Sequence, residues 1–161
     1  MIVIADASPL ISLAHINKLW LLLDLFDDLL VPETVYAEVS AIGKPFAPQL
    51  ETFCKPYIAR AIDRAKFDEL QRLNHGAGES EAIILAMETP NSIILADDLR
   101  ARKLIVRFEL ELIGALGILL VAKQRGLIAN LKTELDILLA NNIRIGAKLY
   151  TKILQQAGEA K

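Results

Sequence analysis

Two short apolar runs in this chain each end in aspartate. Ile2-Val3-Ile4-Ala5 leads into Asp6, and Ser92-Ile93-Ile94-Leu95-Ala96 leads into Asp97-Asp98. Such near-continuous apolar runs suit central parallel strands, which are covered on both faces and so leave no side that can be polar. Between them the chain alternates short apolar runs with stretches of helical spacing. The fold class this predicts is α/β: a three-layer α/β/α sandwich with a mainly parallel central sheet. In open parallel sheets, ligands and chemistry gather outside the carboxyl ends of the strands. The three aspartates therefore stand where function is expected.

Taken in order, the chain predicts a strand over 2–5 and helices over 9–16 and 18–26, broken near Asn17, with Ser8 as N-cap and Pro9 in the first turn. A strand over 29–31 precedes a helix from Pro32 to about 40, with Glu33 in its first turn and Glu38 in its last. A helix over 47–55, a strand over 57–62 and a helix over 64–73 lead to the flexible approach His75-Gly76-Ala77-Gly78 and a strong helix over 79–88. The second aspartate-tipped strand, 92–96, precedes a helix over 99–106 and an alternating strand over 108–113, half exposed at a sheet edge. Three helices, 115–125 capped by Gly126, 130–139 and 145–156, close the chain. Gly43, Pro45 and Pro48 mark the only proline-rich connection, too short for a domain linker, so a single domain over 1–161 is expected. His15 and Trp20 read as core or boundary residues, since neither has a polar companion at useful spacing.

Composition narrows the function. The lone Cys54 excludes an internal disulfide and a cysteine-based zinc cluster, and suits a reducing cytosol. The longest uncharged apolar stretch, 112–122, is too short to span a bilayer, and the first residues lack the basic region of a signal peptide. A soluble cytoplasmic protein, without membrane association, is expected. The formal net charge of −2 gives no global sign of nucleic-acid binding. Basic residues do cluster locally, at Arg100, Arg102, Lys103 and Arg107, at Lys123 and Arg125, and at Arg144, Lys148 and Lys152.

Helical carboxylates can join the aspartates. Asp98 suits the N-cap of the helix that follows it, which leaves Asp97 surplus, and Ser8 as cap leaves Asp6 surplus. Glu79 and Glu81 lie two apart, about 200° around a helix, so they cannot both face the sheet edge. Glu79 shares its stripe with Ala82, Ile83 and Ala86, which predicts the more buried face. Three or four converging carboxylates repel one another by about 4 kcal/mol per pair at ~4 Å and an effective dielectric near 20. A divalent cation relieves that repulsion, and oxygen ligands without cysteine or histidine clusters favour Mg²⁺ or Mn²⁺ over zinc.

Four ordered motifs carry a family resemblance: Val3-Ile4-Ala5-Asp6-Ala7-Ser8-Pro9-Leu10-Ile11; Val31-Pro32-Glu33-Thr34-Val35-Tyr36-Ala37-Glu38-Val39; Gly78-Glu79-Ser80-Glu81-Ala82-Ile83; and Ile94-Leu95-Ala96-Asp97-Asp98 with Ala101-Arg102-Lys103. They resemble the PIN domain, and more narrowly its prokaryotic VapC-related branch of predicted nucleic-acid-binding proteins. Gly114-Ala115-Leu116-Gly117 and the run from Ala122-Lys123 to Gly126-Leu127-Ile128 extend the likeness over nearly the whole chain. The resemblance implies a metal-dependent ribonuclease that cleaves single-stranded RNA with metal-activated water, leaving a 5′-phosphate and a 3′-hydroxyl. Its acids carry over to Asp6, Glu38, one of Glu79 and Glu81, and Asp98 with Asp97 beside it. In typical VapC-type members the third acid falls nearer Glu81, whereas the Gly-Glu pattern of this branch favours Glu79. The chain also has Ala96 where many active members carry Ser or Thr.

The expected site therefore comprises Asp6, Glu38, Glu79 and Asp98 as catalytic acids and metal ligands, with Glu81 and Asp97 as further ligands. Ser8, Arg100, Arg102 and Lys103 are expected to contact RNA phosphates. The resemblance also implies an antitoxin partner and a homodimer. A non-catalytic module that binds RNA or a protein is the alternative, motivated by the net charge and Ala96. A phosphoacceptor receiver also uses acids at strand ends, but the chain lacks the acidic pair by the first strand and the lysine by the last that such a domain requires.

Overall fold

A computed structural model describes residues 1–73 and 76–159. Its elements run β1 (Ile2–Ala5), α1 (Ala7–His15), α2 (Leu21–Leu25), β2 (Asp28–Pro32), α3 (Glu33–Val39), α4 (Ala47–Cys54), a 3-10 turn (Lys55–Tyr57), β3 (Ile58–Ala59), α5 (Arg64–Arg72) and α6 (Ala77–Glu88). The second half adds β4 (Ser92–Leu95), α7 (Leu99–Arg107), β5 (Leu112–Ile113), α8 (Ala115–Gln124), α9 (Leu131–Ala140) and α10 (Ala147–Gln156). The strands form one parallel sheet in the order β3-β2-β1-β4-β5.

The layers follow from side-chain alternation along the central strands. Val3 and Ala5 of β1 point with Leu29 and Val31 into a core shared with α1, α3, α4, α8, α9 and α10. Ile4, between them, points with Ile94 into a second core under α5, α6 and α7. Helices on both faces make the three-layer sandwich that the apolar strands predict. No helix among the described residues is long and apolar enough to cross a membrane.

Several boundaries differ from the sequence reading, each for a local reason. The first helix begins at Ala7, not Pro9, because Asp6 is its N-cap, and Ser8 falls inside the first turn. The expected strand over 57–62 shrinks to two residues after the 3-10 turn. The expected strand over 108–113 shrinks to Leu112–Ile113, since the residues before it close α7. There Leu110 N–H bonds to the Ile105 carbonyl at 3.1 Å and Glu109 N–H to that of Val106 at 2.9 Å, with Glu109 left-handed at φ 57°. This is a Schellman ending with glutamate where glycine is usual. Asn17 at φ 55° and Gly126 at φ 74° end α1 and α8 the same way, as their sequence positions predict. Of the expected approach at 75–78, His75 lies outside the described residues, Gly76 is the N-cap of α6, and Ala77 and Gly78 are already helical.

Candidate functional site

The strand order reverses its sense at β1. The chain places β2 and β3 on one side of it, then crosses to place β4 and β5 on the other. Helices diverge there, so a crevice opens beyond the carboxyl ends of β1 and β4. Asp6 and the Asp97-Asp98 pair follow those two ends directly, and the Asp6 N–H bonds to the Leu95 carbonyl at 2.9 Å. Glu38, exposed in the last turn of α3, and Glu79, in the first turn of α6, reach the same region.

Gly78 makes this approach possible. A Cβ on it would lie 2.8 Å from Val35 Cγ2, 3.6 Å from Asp6 Oδ1 and 3.8 Å from Glu38 Oε2. The backbone of the first turn of α6 therefore sits directly against α3 and beside both carboxylates, at a distance no larger residue permits.

The electrostatics report the convergence. Burial is the main force pushing the Asp6 carboxyl up to about 6. An Ala7 N–H donated to it opposes the shift, and the charges of Glu38, Glu79 and Asp98 add to it. The Ala7 bond is 2.8 Å long. Glu79 Oε1 is buried and accepts no hydrogen bond among the described residues. An orphaned carboxylate oxygen facing like charges is an expensive arrangement unless something positive or protic completes it.

The remaining acids have other occupations. Asp98 is the N-cap of α7, accepting from Ala101 N–H at 3.0 Å, as expected, while its charge still acts on Asp6. Asp97 is not surplus: its Oδ1 accepts Ala115 N–H at 2.8 Å and so caps α8, eighteen residues further along the chain. Burial raises its pKa, while the Ala115 bond and the Arg102 charge oppose the rise. Gly114 leaves room for that cap, since a Cβ there would lie 2.7 Å from Asp97 Oδ1.

Glu81 reverses the expected burial. It is fully buried, whereas Glu79 is only partly so. The stripe comparison fails because α6 is covered on nearly every side, with Gly78 and Ser80 through Ala86 all buried. Glu81 accepts Thr34 N–H at 3.0 Å, Thr34 Oγ1 at 3.1 Å, Ala61 N–H at 3.3 Å and Arg64 Nη1 at 2.9 Å. Both of its oxygens are thus occupied by protein donors.

A cleft of about 790 Å³ opens beside the acids. Glu38, Asp97, Asp98, Ser8 and Arg102 line it at this end; aliphatic side chains from α1, β5, α8 and α10 form its walls, and Arg144 lines it from the α9–α10 connection. Of the expected phosphate contacts, Ser8 and Arg102 line the cleft, whereas Arg100 and Lys103 are exposed on α7 outside its lining. Arg144 is a cleft residue that the sequence reading treated only as part of a basic cluster. Nothing in its local pattern marks it, because the α9–α10 hairpin alone carries it there.

A divalent cation is the group such acids imply. Among the described residues no three His, Cys, Asp or Glu side chains are grouped so as to hold a metal ion. The donors nonetheless fit a largely hydrated divalent cation, which takes only one or two carboxylates directly. All are oxygens, one is an orphaned buried carboxylate oxygen, and their charges repel.

A parallel α/β sandwich with carboxylates gathered where its central strands diverge defines a class of ligand-handling domains built around acidic chemistry. The model of the family described as a PIN domain matches residues 2–159, and the chain belongs to that family. Its role is therefore a nucleic-acid-related one of nuclease type, in a family that typically uses divalent metals. No curated protein and no solved structure matches the chain.

Proposed function

We propose that this protein is an Mg²⁺- or Mn²⁺-dependent endoribonuclease that hydrolyses phosphodiesters of single-stranded RNA. The observation that carries the proposal is the placement of Asp6 beside Glu38, Glu79 and Asp98: burial first, and then their charges, push its carboxyl up to about 6, while Glu38 and Asp98 also line a cleft with two arginines. Asp6 and Glu79 would hold the cation directly, with Glu38 and Asp98 reaching it through its waters. When bound, it would supply a Lewis acid for the phosphate and lower the pKa of an attacking water. Arg102 and Arg144 would pair with phosphates on either side of the scissile one, since guanidiniums suit phosphate oxygens in two-point contacts. Ser8, exposed on the first turn of α1, would donate to a phosphate oxygen. A strand lying in the cleft would rest its sugars and unstacked bases on the aliphatic walls, which a duplex cannot do. An antitoxin seated over this cleft and a homodimer formed through apolar helix faces belong to the same proposal.

Purified protein with Mn²⁺ and a labelled single-stranded RNA tests it. Cleavage should require the metal and fall at least about 10²-fold in Asp6→Asn and in Asp98→Asn, in keeping with losing preorganised charge at a reacting centre. Undiminished cleavage in both variants would sink the proposal. A non-catalytic PIN-type binding module is the second reading, favoured by the absence of a preformed three-ligand group among the described residues. Calorimetry separates them: only the nuclease requires Mn²⁺ binding that disappears in Asp6→Asn.

A further inference from the structure

We propose that Glu81 is a positioning residue which, through Thr34, fixes α3 against α6 and thereby sets the spacing of Glu38 and Glu79. The inference rests on the nuclease reading for its purpose, but its geometry stands on bonds of its own.

A fully buried carboxylate that accepts four donors is well satisfied, yet it is seldom more stabilising than an apolar residue of similar volume. What it adds is direction. Two of its donors, the backbone and hydroxyl of Thr34, come from the first turn of α3. The other two, Ala61 N–H and Arg64, come from the segment leading into α5. Two pieces of chain thus meet on one side chain of α6.

Thr34 precedes Glu38 by four residues, so the two lie on one face of α3, about 6 Å apart along its axis. Glu81 follows Glu79 by two residues and points to the opposite side of α6. Fixing Glu81 therefore fixes both the rotation of α6 and its height along α3, which together decide where Glu79 stands relative to Glu38. The contact is close as well as directional: Thr34 Oγ1 lies 3.3 Å from the Ala77 carbonyl, and Gly78 packs on Val35 next to Asp6 and Glu38. Arg64 is partly exposed and stacks 4.2 Å from the Phe67 ring, which holds its guanidinium toward Glu81.

Glu88 provides a matched control. On the same helix it accepts Ile62 N–H at 2.9 Å and Asp63 N–H at 2.8 Å, tying down the same segment as Glu81 with, among the described residues, no bond to α3. A residue that only stabilises the fold and one that places the acids are thus distinguishable on one helix.

The experiment is calorimetric titration of MnCl2 into the wild type, Thr34→Val, Thr34→Ser, Glu81→Gln and Glu88→Gln, with melting curves of each and crystal structures of Thr34→Val and Glu81→Gln. Thr34→Val and Glu81→Gln should weaken Mn²⁺ about 10-fold or more, the scale of lost outer-shell support. Thr34→Ser should restore it, and Glu88→Gln should keep wild-type affinity despite a lower Tm. The proposal is overturned if Thr34→Val and Glu81→Gln bind as the wild type does, or if Glu88→Gln loses as much. Should the wild type bind no Mn²⁺, the metal-dependent reading fails and the crystal structures decide the positioning. Glu38 and Glu79 displaced by about 1 Å or more, a shift that matters at a reactive centre, uphold it, and superimposable acids overturn it.

Discussion

Asp6→Asn should make this protein more stable at neutral pH, and the size of the gain follows from the site. The folded state holds the Asp6 proton up to about pH 6, against 3.8 for an ordinary aspartate. Between those values the unfolded chain releases its proton while the folded one keeps it, so stability falls as pH rises, and above pH 6 the whole penalty is in force. At about 1.4 kcal/mol per pH unit, the shift from 3.8 to about 6 amounts to about 3 kcal/mol. Asparagine carries no charge and keeps an oxygen for the Ala7 N–H, so the variant escapes the penalty. Thermal melts with EDTA present should show a gain of about 3 kcal/mol at pH 8, or roughly 6–12 °C for a domain of this size, shrinking to about 1 kcal/mol at pH 4.5. In the proposed nuclease, saturating Mn²⁺ should narrow the gap at pH 8, since only the wild-type acids would bind it. A variant less stable than the wild type at pH 8, or a gain equal at both pH values, would show that Asp6 carries no such penalty in the folded state.

Three further perturbations probe the scaffold and the cleft. Gly78→Ala places a Cβ 2.8 Å from Val35 Cγ2, so helix propensity gained is outweighed by overlap, and urea unfolding should show a net loss of about 1–2 kcal/mol. Glu109→Gly relieves a left-handed glutamate at the end of α7 and should raise stability by about 0.5–1 kcal/mol in the same assay. Arg144→Ala should weaken binding of single-stranded RNA across sequences and lower the slope of log affinity against log salt by about 1, without changing Tm by more than about a degree.

Most of the fold is legible in the sequence because its central strands are buried on both faces. Their uninterrupted apolar runs, each ending in aspartate, announce a parallel sheet and locate its working edge without reference to distant residues. What is not legible depends on partners far along the chain. Asp97 looks surplus beside Asp98 because the helix it caps begins eighteen residues later. Asp6 looks free of structural duty because Ser8-Pro9 is a good helix start, yet the helix takes Asp6 itself as cap. The alternation over 108–113 is real, but its first residues are spent on the Schellman ending of α7. Glu79 and Glu81 defeat a stripe comparison because α6 has almost no solvent face. The distinction between them lies in Thr34 and Arg64, which no local pattern connects to either.

The proposed site has Asp6 and Glu79, not Glu81, facing a divalent cation at the ends of β1 and β4. Anomalous diffraction from crystals soaked in Mn²⁺ tests it most directly. The expected result is a peak at direct or water-bridged distance from Asp6 and Glu79, with Glu81 still bonded to Thr34 and Arg64. A peak ligated by Glu81, or none in crystals with the acid cluster open to solvent, would contradict it.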